Sequence, residues 1–305
     1  MLIKNILCPI DFSEFSKRAY CHALSLVEHY NARLFLLHVV ELWKYPYADY
    51  AAAEADYANF CRAMHKGGKE KLQQFVKAYP HADIHPELAV REGRAPDSIL
   101  SFAKEHNPDV VVMGTHGRRG FDRLMLGSAT DRVMREAPCP ILAVCCPTPD
   151  SVAAAAGQHP VHHLSRILLC TDFSENSKHA LDYAISLTEE YSAELTLMHV
   201  VEHAPSSAKK EEVLATATQQ LDKLIPTEKR NTLKSKAVVR IGKPYQQILE
   251  YAREVPTDLI AMGVRGAGAL DRAIFGSTTY RVIQLGPCPV LAVHGWFQPP
   301  KGHMC

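Results

Sequence analysis

The 305-residue chain holds no apolar run near the ~18 residues that a membrane helix needs, which excludes a helical span. Its first residues, MLIKNILCPIDF, are too short and too broken by polar side chains for a signal peptide. The expected location is therefore the cytoplasm, with no membrane partner. An excess of charge of one sign is also missing. Lys and Arg number 34 and Asp and Glu 33, for a formal net charge of +1. Sequence-independent nucleic-acid binding runs on phosphate neutralisation, so no nucleic-acid partner is expected. A small anionic ligand needs only local positive potential and stays open. Nine cysteines are scattered without a CxxC pair or a regular framework, so they read as free thiols rather than disulfides. No GxxxxGK[ST] occurs, which excludes a Walker A loop, and GxGxxG is absent from any dinucleotide-binding context.

What is there is an ordinary globular composition, 47% hydrophobic and 22% charged, which argues against wholesale disorder. The length is about twice a common domain, so two domains are expected. The chain in fact contains itself twice. ILCPIDFSE at 6–14 returns as ILLCTDFSE at 167–175, and ARLFLLHVVE at 32–41 returns as AELTLMHVVE at 193–202. PDVVVMGTHG at 108–117 matches PTDLIAMGVRG at 256–266. LGSATDRVMREAPCPILAV at 126–144 matches FGSTTYRVIQLGPCPVLAV at 275–293. The spacing between copies falls from 161 to 149 along the way. The first copy thus carries extra residues between its second and fourth strands.

Each copy alternates strand-like and helix-like segments. In the first, strands are expected at Ile6–Ile10, Arg33–Val40, His85–Val90, Asp109–Met113 and Ile141–Val144. Helices are expected at Ser13–Tyr30, Ala51–Tyr79, Pro96–His106 and Gly127–Glu136. Continuous runs such as VVVMG and LFLLHVV suit strands buried on both faces. The alternation implies an α/β fold with a parallel sheet and crossover helices. Residues 147–164 have loop composition and read as a linker, between domains at 1–146 and 165–295. The tail, 296–305, reads as unstructured.

Both copies place glycines directly after strand four. Gly114 and Gly117 are followed, nine residues on, by Gly127-Ser128. Gly263 and Gly266 are followed in the same way by Gly276-Ser277. The second part of the pattern opens a helix, whose unpaired N–H groups and dipole favour a phosphate. The loop lies at the carboxyl end of a strand, where open α/β sheets bind ligands. The plainer reading is that these glycines only make tight turns. Asp11 and Asp172 follow strand one. A carboxylate there could accept bonds from ribose hydroxyls, or it could cap the next helix in a D-x-x-E pattern.

With the repeat and both GxxG-x9-G[ST] loops in view, the chain resembles a tandem universal stress protein of the ATP-binding branch. The resemblance covers all but the linker and tail. It implies two doubly wound, Rossmann-like domains, each a five-stranded parallel sheet with helices on both faces. It implies ATP as the ligand, with or without Mg2+. The first site would use Asp11, Val39, Gly114, Gly117, Gly127, Ser128 and Ala129. The second would use Asp172, Val200, Gly263, Gly266, Gly276, Ser277 and Thr278. The Asp would contact ribose, the backbone after strand two adenine, and the glycine loop the phosphates. Both copies depart from the family's Pro-Thr-Asp, with Pro9-Ile10-Asp11 and Cys170-Thr171-Asp172. The resemblance further implies that the final strands, PILAV and PVLAV, pair the two domains as an intramolecular pseudo-dimer. A further homodimer of chains stays open.

Other residues have bland readings beside their functional ones. His38 and His199, at the end of strand two, read as core histidines bonded to backbone. His116, Arg118, Arg119 and Arg265 lie in the glycine loops, where they would either meet phosphate or be solvated. Cys139 and Cys288, each in Pro-Cys-Pro, and the adjacent Cys145 and Cys146 read as structural thiols. His159, His162, His163, His303 and Cys305 lack a ligand spacing, so no metal site is expected. No catalytic residue is assigned. The expected function is a nucleotide-binding stress regulator. A slow ATPase or phosphotransferase, and an interaction module that binds no nucleotide, are the alternatives.

Overall fold

A computed structural model describes residues 3–41, 54–81, 83–116, 126–144, 164–202, 210–264 and 276–294. Residues 147–163 of the expected linker, the tail and the histidines and cysteines in them lie outside the described residues, as do Cys145 and Cys146. By its contacts the chain forms two compact units, one of Ile3–Cys139 and one of Pro140–Cys305 joined by Met1–Leu2.

In the first unit β1 (Asn5–Pro9) leads to α1 (Glu14–Tyr30) and β2 (Arg33–Val40). Then come α2 (Glu54–Ala78), β3 (Glu87–Glu92), α3 (Ala95–His106), β4 (Val110–Gly114) and α4 (Ser128–Glu136). Its strands lie in the order β3-β2-β1-β4, all parallel. The second unit begins with β5 (Ile141–Val144), the fifth strand of the first repeat. The second repeat follows as β6 (Arg166–Cys170), α5 (Glu175–Tyr191), β7 (Glu194–Val201), α6 (Lys210–Leu224) and β8 (Lys234–Ile241). It ends with α7 (Pro244–Glu254), β9 (Leu259–Gly263), α8 (Ser277–Leu285) and β10 (Val290–Val293). Its strands run β5-β10-β9-β6-β7-β8. All neighbours there are parallel except β5 and β10, which are antiparallel with Leu142 opposite Leu291.

The sequence dictates these elements simply. Every residue of β4, β5, β9 and β10 is buried, as continuous aliphatic runs require. Helix α1 buries Ala19, Tyr20, Ala23, Leu24 and Val27, spaced by three and four on one face. Asn31, in the left-handed region at φ 51°, ends it. The N-cap is Ser13, whose hydroxyl accepts from Ser16 N–H, and Ser174 does the same for α5. Capping therefore falls two residues after the Asp of D-x-x-E. Such a cap contributes about 1 kcal/mol.

One pair of carboxylates escaped the sequence reading. Asp109 Oδ2 accepts from the N–H groups of Lys4 and Asn5, both at 2.8 Å. Asp258 Oδ2 does the same for Ser165 and Arg166, at 2.8 and 2.9 Å. Each repeat thereby ties the start of its first strand to the start of its fourth. The extra length of the first copy goes in part to α2, with 25 residues against 15 in α6.

Six cysteines are described, all as free thiols. Cys8, Cys139, Cys170 and Cys288 are buried. Burial pushes the Cys139 thiol up to about 12, and pushes Cys8 and Cys170 up as well. The unfolded chain releases these protons above about pH 8.5, whereas the folded chain keeps them. Stability from this source is complete below that pH and is lost as pH rises toward the folded values. The urea midpoint is expected to fall steadily from pH 8 to pH 10.5, and Cys8→Ala to flatten that slope. A midpoint independent of pH in this range would count against burial of the thiols.

Candidate functional site

The C-terminal ends of β6, β7 and β9 meet the start of α8 around a cavity of about 620 Å³. Asp172, Val200, Gly263, Gly276, Ser277 and Thr278 all line it. Those are the expected residues of the second site, apart from Gly266, which lies outside the described residues. Met198, Met262, Pro244 and Ile248 add apolar wall, and His199 and Glu202 add polar groups. In the first copy the corresponding elements carry Asp11 after β1, Val39 in β2, Gly114 closing β4, and Gly127, Ser128 and Ala129 at the start of α4. Gly117, Arg118, Arg119 and Arg265 lie outside the described residues.

The turn after strand one is built alike in both copies. Asp11 Oδ1 accepts from Ser13 N–H at 3.0 Å and from Ser13 Oγ at 2.6 Å. Asp172 repeats this with Ser174 at 3.1 and 2.6 Å. The residue between takes a left-handed conformation, with φ 65° at Phe12 and 62° at Phe173. That backbone is uncommon for a bulky side chain and holds the carboxylate at the strand end. In the second copy Thr171 adds two bonds, to Phe173 N–H at 3.0 Å and to Ser177 Oγ at 2.9 Å. Ile10 stands there in the first copy and has no hydroxyl to offer.

The glycines divide their labour. Gly127 N–H donates to Thr115 O at 3.0 Å, and Gly276 N–H to Val264 O at 3.0 Å. These N–H groups close the loop instead of facing a ligand, contrary to the expectation that Gly127 itself offers one. The first helical bonds come from Asp131 N–H to Gly127 O and from Tyr280 N–H to Gly276 O. The N–H groups of residues 128–130 and 277–279 precede that first turn and so have no acceptor within the helix. Gly114 and Gly263 serve packing. A Cβ on Gly114 would lie 2.7 Å from Phe15 Cβ, and one on Gly263 would lie 2.9 Å from the Asn176 carbonyl carbon.

Thr130 and Thr279 were missed by sequence reasoning. Each donates its buried hydroxyl, at 2.9 Å, to the carbonyl of the glycine that ends strand four, Gly114 or Gly263. This staples the helix start to the strand end. The signal was available, since both copies read Gly-Ser-x-Thr.

His38 and His199 are the backbone-bonded histidines expected. Nδ1 of His38 donates to Ile10 O at 2.8 Å and that of His199 to Thr171 O at 2.9 Å. His116 turns inward. It is buried, its Nδ1 lies 2.9 Å from Thr115 Oγ1, and its ring sits 5.0 Å from that of Phe15. This placement removes it from the phosphate role. Among the described residues, no group of three or more His, Cys, Asp or Glu is arranged to hold a metal ion. Among them, too, no helix is long and apolar enough to cross a membrane.

The fold class and this repeated strand-loop-helix site coincide with one known family. The sequence model of the Universal stress protein family matches residues 2–144 and again 163–294. The chain belongs to that family, as a tandem of two such domains. A universal stress protein of Methanocaldococcus jannaschii is 30% identical over 143 residues, 47% of this chain and 82% of the relative. One from Thermus aquaticus is 31% identical over 144 residues, 47% of this chain and 99% of the relative. A solved universal stress protein from Archaeoglobus fulgidus covers 95% of this chain and 98% of its own, at a TM-score of 0.66 and 22% identity. That last likeness speaks for the fold alone.

Proposed function

We propose that the protein binds ATP and acts as a nucleotide-dependent stress regulator, without relying on turnover. The observation that carries this reading is the cavity against α8. At about 620 Å³ it falls within the roughly 300–1,000 Å³ common for small-molecule sites. One end offers backbone N–H groups and a helix dipole, suited to phosphates. The other offers a carboxylate and apolar strand ends, suited to a nucleoside. Asp172 would take the ribose, the backbone at Val200 the adenine, and the N–H groups of Ser277 and Thr278 the phosphates, with Gly263 and Gly276 shaping the loop that presents them. Asp11, Val39, Gly114, Gly127, Ser128 and Ala129 would do the same in the first copy. Gly117 and Gly266 complete the two proposed loops. A bound Mg2+ would neutralise phosphate charge. The site belongs in the cytoplasm, where ATP is the abundant nucleotide. The antiparallel pairing of β5 with β10 supports an intramolecular pseudo-dimer through the final strands.

Titration calorimetry with ATP tests the reading, together with identification of any nucleotide released on denaturation. Asp172→Ala and Asp11→Ala combined are expected to weaken binding by about tenfold or more, the worth of a charge-assisted hydrogen bond. No affinity at millimolar ATP would overturn it. Steady phosphate release that the double variant abolishes would favour the slow ATPase instead.

A further inference from the structure

The two repeats treat the same histidine differently. In each, Nδ1 donates to the carbonyl of the residue before the Asp turn, Ile10 or Thr171. A carbonyl only accepts, so Nδ1 carries a proton, and Nε2 is the ring nitrogen left to act as an acceptor. In the first copy α2 packs onto this ring. A Cβ on Gly68 would lie 3.3 Å from His38 Cδ2, and His38 is only 8% exposed. In the second copy the equivalent ring is half-buried and lines the cavity. It is held at two points, by the bond to Thr171 O and by the Phe173 ring at 4.5 Å. The result is a fixed imidazole in a cavity wall.

Its position says which part of a ligand it meets. The strand order places β6 between β7, which carries His199, and β9, which leads to α8. Two strand spacings put His199 roughly 10 Å from the start of α8. An imidazole lone pair would repel phosphate oxygens, whereas it complements an N–H or O–H donor. We propose that His199 Nε2 accepts a hydrogen bond from the nucleoside half of the bound nucleotide, which makes His199 a specificity-determining residue of the second site. This rests on the nucleotide reading of that cavity. The donor is either the exocyclic amino group of adenine or a ribose hydroxyl, and both present the same chemistry to Nε2.

The test compares ATP with ITP, which lacks the amino group, and with 2′- and 3′-deoxyATP, which each lack one hydroxyl. Calorimetry on the full chain is expected to find one of these about tenfold weaker than ATP, the worth of one such bond. In His199→Phe, which keeps an aromatic ring beside Phe173, ATP is expected to fall to that analogue's affinity and the gap to close. Because this change also removes the donor to Thr171 O, nitrogen NMR of the unmutated protein supplies a second readout. The His199 Nε2 resonance is expected to shift upfield on saturation with ATP while Nδ1 stays in place. An Nε2 resonance unmoved by bound ATP, or a gap that survives in His199→Phe, overturns this inference alone. Failure of every nucleotide to bind overturns the proposed function and this inference with it.

Discussion

Gly114→Ala is expected to cost about 3 kcal/mol of folding stability, and Gly263→Ala about as much. The reason is the tight crossing of the first helix of each repeat over the end of its fourth strand. A Cβ on Gly114 would meet Phe15 Cβ at 2.7 Å and the Phe15 carbonyl carbon and oxygen at 2.8 and 2.9 Å. A Cβ on Gly263 would meet the Asn176 carbonyl carbon and oxygen at 2.9 Å each, and Ser177 N at 3.0 Å. Most of these are backbone atoms of a helix start and cannot rotate away. The helix has to lift, and the turn carrying Asp11 or Asp172 lifts with it, so the proposed nucleotide affinity should fall alongside stability. Gly67 in α2 is the control. Nothing lies within 4 Å of a Cβ there, and alanine in a helix interior is favoured by about 1 kcal/mol. Gly67→Ala should therefore raise the thermal midpoint slightly while Gly114→Ala lowers it by several degrees. Urea denaturation of the three variants decides the matter. A Gly114→Ala protein within experimental error of the parent would refute the close-crossing explanation.

Leu291→Asp is expected to cost about 4 kcal/mol, the range of a buried, unpaired charge. Leu291 is 5% exposed, sits opposite Leu142 of β5 and pairs with Ala261 of β9 on its other side. No cation flanks it on either strand. The carboxyl can remain buried only as the neutral acid, so its folded pKa would rise. Below about pH 4 the acid is protonated in both states, and the penalty is mainly lost packing. As pH rises toward the raised folded value, the unfolded chain ionises first and the deficit grows. The isosteric Leu291→Asn should show a loss without this pH dependence. Denaturant midpoints at pH 5 and pH 8 separate the two variants. Equal deficits at both pH values would mean that the β5–β10 seam is open to water.

Much of this was readable from the residues alone. VVVMG and LFLLHVV announce buried parallel strands, and the structure places them as β4 and β2 within a residue of expectation. The repeat alone implied two copies of one fold. What stayed hidden were choices made by hydrogen bonds that cross a loop. Nothing in Gly-Ser marks Gly127 N–H as taken by Thr115 O, because the partner is twelve residues back and the loop must first close. The inward turn of His116 depends on Phe15, a residue on a different element. Ser13 rather than Asp11 is the cap because Phe12, in the left-handed region, cannot be a helical residue and the helix starts two residues later. The grouping of β5 with the second unit rests on its long-range partner, which local periodicity does not report.

That last pairing bears on how the chain is made. The hydrogen bonds from β5 to β10 join Ile141–Ala143 to Val290–Ala292. During synthesis the first of these strands leaves the ribosome about 150 residues ahead of the second. At about 5–20 residues per second, that is a wait of roughly 7–30 s. Over this interval one edge of an entirely apolar strand, Ile-Leu-Ala-Val, has no native strand to bind. The nascent protein thus carries a timed vulnerability to chaperone capture or to pairing with a neighbouring chain, and slowing translation of the second repeat should lengthen it.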